Sequence, residues 1–188
     1  MRTVINKQMA FTDNGGMREM LAGRIGRSDI RAICLQCCDG GDDCVRETLF
    51  SLISDDDDRV AYNALWVFTH FDGEGRDWLL LRRSILIDRL LTEKHTGKRR
   101  LMLSLLDKMP VAEDDVRTDY LDFCMAKINS TEPYGIRALC LKQAFAQCRF
   151  YPELTQELLC AIEMMEHGEM SAGIRSARNN IMKQISRL

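Results

Sequence analysis

The chain has 188 residues, 46% of them hydrophobic and 29% charged, with a formal net charge of −2. That is the composition of a folded globular protein, and its length suits one continuous domain, residues 1–188. No run approaches the ~18 to 20 apolar residues of a membrane span, and the start, MRTVINKQMAFTDNGG, lacks the apolar centre of a secretory signal. A cytoplasmic protein with eight free thiols is therefore expected, without membrane contact.

Taken in chain order, the first apolar-periodic segment is MREMLAGRI, followed by DIRAICLQCC. The second of these runs into ICLQCCDGGDDC, four cysteines in twelve positions, which raises the question of a metal. Cys34, Cys37 and Cys38 all fall on the apolar face of a helix begun at Ile30, where free cysteine serves as a small hydrophobe. A rigid helix does not fold four sulfurs into a tetrahedron, so core packing is the expected role and no metal or other cofactor is assigned.

The segments CVRETLFSLI and DRVAYNALWVF come next, separated by the acidic run 55–58, which lacks calcium-loop spacing and is expected to be a solvated, helix-capping turn. DWLLLRRSILIDRLL reads as one helix over 77–91, and GKRRLMLSLL follows after Gly97. DDVRTDYLDFCMAKI and YGIRALCLKQA flank Pro133, and PELTQELLCAIEMM and AGIRSARNNIM close the chain, with Pro152 and Gly173 at helix starts. His70, His95 and His167 have no ligand-spaced neighbours and are expected at solvent-facing helix ends. No phosphate-binding glycine loop, nucleophile elbow or zinc-protease helix is present in the sequence.

Every second segment aligns with the others. Ile30, Val60, Lys98, Ile136 and Ile174 are spaced by 30, 38, 38 and 38 residues, and Arg31, Arg99, Arg137 and Arg175 follow four of them. The pairing of helices, the period, and the opening Asp29-Ile30-Arg31 resemble the HEAT repeat family from about residue 17 to the C-terminus. The resemblance implies an all-α fold, a right-handed alpha-alpha superhelix of about five helical hairpins. It also implies that the recurring arginines bind turn carboxylates of their own or a neighbouring repeat.

Position +5 of these helices is Leu35, Leu65, Leu103 and Leu141, then Asn179. The four leucines are expected to be buried against the following repeat, and Asn179 to face solvent as a terminal cap.

In a HEAT-like array the face opposite the core on each second helix lines the concave surface. Its candidate binding residues here are Tyr62, Trp66, Arg100, Lys142, Phe145, Arg149 and Lys183, with Asp107 and Asn180 among them. The second helices carry +11 in total and the remainder −13. Two functions follow. The favoured one is a scaffold that holds a protein or peptide in this groove, with Tyr62, Trp66 and Phe145 as anchors. The alternative is a nucleic-acid binder similar to the HEAT-like DNA glycosylases, in which Asp107 would be the catalytic acid.

Overall fold

The computed structural model describes residues 14–38, 42–165 and 170–187, and among them there are eleven α-helices and no strand. The chain divides into two compact units, 1–78 and 79–188.

The N-terminal unit contains α1 (Asn14–Ala22), α2 (Arg27–Cys37), α3 (Asp43–Ser51), α4 (Asp58–Phe68) and most of α5 (Gly73–Leu80). The starts of α2, α3 and α4 have a local cause. The Asp29 carboxylate accepts the Gly26 amide at 2.7 Å, Asp42 accepts the Cys44 amide at 2.8 Å, and Asp57 accepts the Arg59 amide at 2.8 Å. The acidic run thus caps α4 as its sequence suggests. Asp55, in the same run, takes Arg18 in a two-pronged ion pair at 2.7 and 2.9 Å, and that bond holds its carboxyl below the ordinary range.

α4 packs chiefly on α1 and only lightly on α2. Asn63, buried on α4, donates its side-chain amide to the carbonyls of Leu21 at 2.8 Å and Gly23 at 3.2 Å, which closes the C-terminal end of α1. Phe50 meets Phe68 and Trp78 edge-on, with centroids 5.9 and 5.8 Å apart, and Phe68 and Trp78 stack in parallel.

The C-terminal unit holds α6 (Arg83–Thr92), α7 (Thr96–Leu106), α8 (Thr118–Ile128), α9 (Tyr134–Cys148), α10 (Pro152–Glu163) and α11 (Ala172–Ile185). It has two layers. α6, α8 and α10 form one, α7, α9 and α11 the other, and each helix also contacts its hairpin partner. His95 accepts the Lys98 amide at the start of α7, and Pro152 occupies the first turn of α10, where its missing N–H costs nothing.

Three expectations change. The single helix over 77–91 is two helices, broken at Leu81 and Arg82. Trp78 belongs to the aromatic core of the first unit, whereas Leu86, Ile87 and Leu90 are buried in the second, so one apolar run serves two cores. Leu65, Leu103 and Leu141 are 0% exposed and Asn179 faces solvent, but Leu35 is 58% exposed. The flank of α2 is left open because α4 rests on α1 instead. Of the clustered thiols, Cys37 and Cys38 are buried while Cys34 is only half-buried.

Candidate functional site

Three of the four recurring arginines, Arg99, Arg137 and Arg175, bond to the segments that lead into helices. Arg99 pairs with Glu132 in the next hairpin's turn and also donates to the Lys94 carbonyl at 3.3 Å. Arg137 and Arg175 use backbone instead of carboxylates, donating to the carbonyls of Ile128 at 2.8 Å and Met170 at 3.2 Å. Ile128 ends α8, so Arg137 ties the two helices of its hairpin together, whereas Met170 lies just before α11, so Arg175 holds the entry to its own helix. Arg31 is exposed and makes no ion pair among the described residues.

A cleft of about 420 Å³ in the C-terminal unit lies between α9 and α11, with Asp107, just past the end of α7, at its edge. Asp107, Lys142, Phe145, Arg149 and Asn180 all line it, five residues that the helical phase groups on one face. Phe145, 8% exposed, and Ile181 form an apolar floor. The charges around it are largely committed. Lys142 Nζ lies 2.9 Å from the Asp107 carboxylate. Arg149, just past the end of α9, donates to the Val111 carbonyl at 2.6 Å and rests over the Phe150 ring at 4.8 Å. Arg100 and Lys183 are exposed and make no ion pair among the described residues.

Tyr62 and Trp66 belong to the other unit, on α4, and both are half-buried. Trp66 meets His70 edge-on with centroids 6.0 Å apart. His70 and His95 are exposed at helix ends, and His167 lies outside the described residues.

Helical phase did not point to Ala146, Ala177, Ile181 and Gln184 in the cleft. Ile181 sits at +7 on α11, a core position in the other second helices, and is itself only 2% exposed.

The thiols are built for packing. Burial pushes the Cys34 and Cys37 thiols up to about 12, with their sulfur neighbours adding to it, and burial does the same to Cys148. Among the described residues, no group of three or more His, Cys, Asp or Glu side chains is disposed to hold a metal ion, and no helix is long and apolar enough to cross a membrane.

A HEAT repeat domain model matches residues 17–185, through both units and all five hairpins. The chain belongs to the HEAT repeat family. No curated protein and no solved structure matches it significantly. As a HEAT repeat protein it is a helical-repeat scaffold, in which side chains on exposed helix faces are available for contact while the turns are held by internal bonds.

Proposed function

We propose that this HEAT repeat chain is a cytoplasmic protein-interaction scaffold whose partner lies in the cleft between α9 and α11. The observation that carries the reading is the cleft's composition: an apolar floor of Phe145 and Ile181, rimmed by the Asp107–Lys142 pair, Arg149 and Asn180. An apolar floor, already mostly buried, inside a polar rim supports a protein partner over an anionic polymer. Phosphate binding asks for uncommitted cations. Here Lys142 is neutralised by Asp107 and Arg149 is spent on Val111 and its own helix end, leaving Arg100 and Lys183. Tyr62 and Trp66 on the first unit are the aromatic anchors of the same function.

The test is affinity capture from native lysate, with and without nuclease, using wild type and a variant carrying Arg100→Glu, Lys142→Glu and Lys183→Glu. Capture that survives nuclease and is lost in the variant supports the scaffold. Capture that nuclease abolishes refutes it. For an aromatic anchor, Trp66→Ala should weaken a purified partner by ~2 kcal/mol or more, and any single rim charge by less.

The nucleic-acid alternative rests on Asp107 beside basic side chains. Anisotropy with labelled duplex and single-stranded DNA at two salt concentrations decides it, because each phosphate contact releases about one counterion. A salt-sensitive submicromolar affinity would replace the scaffold reading and make Asp107→Asn the mutant to assay for base excision.

A further inference from the structure

A second cleft of the C-terminal unit, about 540 Å³, lies between the start of α6 and the segment 110–117. Arg83 lines it and is only 6% exposed. Its guanidinium is used on one side. Nη1 donates to the Pro110 carbonyl at 2.7 Å and the Asp115 carboxylate at 3.1 Å, whereas Nε and Nη2 find no acceptor among the described residues. Nε and Nη2 form the edge with which arginine grips a carboxylate in two parallel bonds. This protein uses that edge twice: Arg18 on Asp55 at 2.7 and 2.9 Å, and Arg117, which lines this same cleft, on Asp119 at 3.1 and 2.6 Å.

Two further features point the same way. No side chain caps the N-terminus of α6, and the amides of Arg83 and Ser84, its first two residues, have no carbonyl four positions back within the helix. The rest of the cleft's lining includes Leu80, Leu81, Ile87 and Val111, and Leu81 is 83% exposed.

We infer that this cleft binds the C-terminal carboxylate of a partner peptide whose last side chain is apolar. Asp114 and Asp115 share the cleft and Asp115 is already paired with Arg83, so a doubly charged phosphate is repelled more strongly than a single carboxylate, which would be held by hydrogen bonds to the Nε and Nη2 edge. A terminal residue carries its carboxylate and its apolar side chain on one Cα, which suits an arginine edge set beside leucines. A side-chain carboxylate would need a second residue for the apolar contact and would bury the peptide groups between them. Nε and Nη2 are closed to solvent, so the carboxylate reaches them only as the side chains that cover them shift. This site is separate from the cleft between α9 and α11 and does not depend on its function.

The test uses the full chain and fluorescein-labelled pentapeptide pools with randomised upstream positions. One pool ends in a free Leu carboxylate, one in Leu amide, and one carries an internal Glu before an amidated Leu. The free-acid pool should bind saturably and at least 10-fold more tightly than either amide pool. Leu81→Glu, at an exposed position that spares the fold, should weaken it at least 10-fold with an unchanged circular dichroism spectrum, and Arg83→Met should abolish the preference for acid over amide. Absence of saturable binding, equal affinity for acid and amide, or an affinity indifferent to Leu81→Glu would each overturn the inference. Tight binding by the internal-Glu pool would overturn the assignment to a chain terminus.

Discussion

In the C-terminal unit α7, α9 and α11 lie side by side, each covering a flank of the one before; in the N-terminal unit α4 rests on α1 and leaves the flank of α2 open. The same sequence position registers the difference. Leu103 and Leu141 are 0% exposed, whereas Leu35 is 58% exposed. The period explains it. An interval of 38 residues brings successive second helices into register, while the interval of 30 between Ile30 and Val60 brings α4 onto α1. A repeat unit's fold thus follows from its own periodicity, but its packing follows from its spacing to the next.

The largest effects should come from breaking the regular layer. Leu103→Ala and Leu141→Ala are each expected to cost about 2–5 kcal/mol in denaturant unfolding, and Leu35→Ala less than about 0.5 kcal/mol. Comparable costs at all three sites would mean that α2 is covered after all.

The N-terminal unit has its own tight points. A Cβ on Gly75 would stand 2.7 Å from the Cys38 sulfur and 2.9 Å from the Phe71 ring, so Gly75→Ala should destabilise by about 1–3 kcal/mol. Asn63→Ala removes the donor shared by the Leu21 and Gly23 carbonyls and should cost about 1–3 kcal/mol, with α1 loosening first in hydrogen exchange.

Thiol labelling sharpens the comparison without mutation. Cys44 and Cys160, exposed in one unit each, should react with iodoacetamide at pH 8 in the native protein, while Cys37, Cys38, Cys124, Cys140 and Cys148 wait for unfolding. Cys34 should be slow, since a half-buried thiol pushed up to about 12 holds little thiolate at that pH. Rapid native labelling of Cys37 would show the α2 face to be open.

Acid titration probes both units at once. The Arg18 bond lowers Asp55 in the first, and the Arg117 bond lowers Asp119 in the second. Burial opposes the shift at Glu93, but the His95 and Lys94 amides and the Lys98 ammonium still bring it down. A carboxyl lowered on folding adds stability above its unfolded pKa of about 4, and that stability is lost as pH falls through the lower folded value. Unfolding free energy should therefore be flat from pH 7 to 5 as far as these groups go, and should drop below about 4.

The cap at Asp57, the buried leucines of the regular layer and the grouping of Asp107, Lys142 and Phe145 were legible because each depends on local chemistry or helical phase. Three features were not. The break at Leu81 and Arg82 arises where one apolar run is shared by two cores, which periodicity does not record. Leu35 depends on which helix α4 meets, a long-range choice. Arg83 looks like a surface residue in LLLRRSIL, and only the path of segment 110–117 buries it.

The central claim, a protein partner seated between α9 and α11, is tested most directly by site-specific photo-crosslinking in cells. A benzophenone amino acid replaces Asn180 in the cleft or, as control, the exposed Gln156 on α10. The account predicts discrete protein adducts from position 180 that are absent from position 156. No adduct at 180, or the same adducts from both positions, would contradict it.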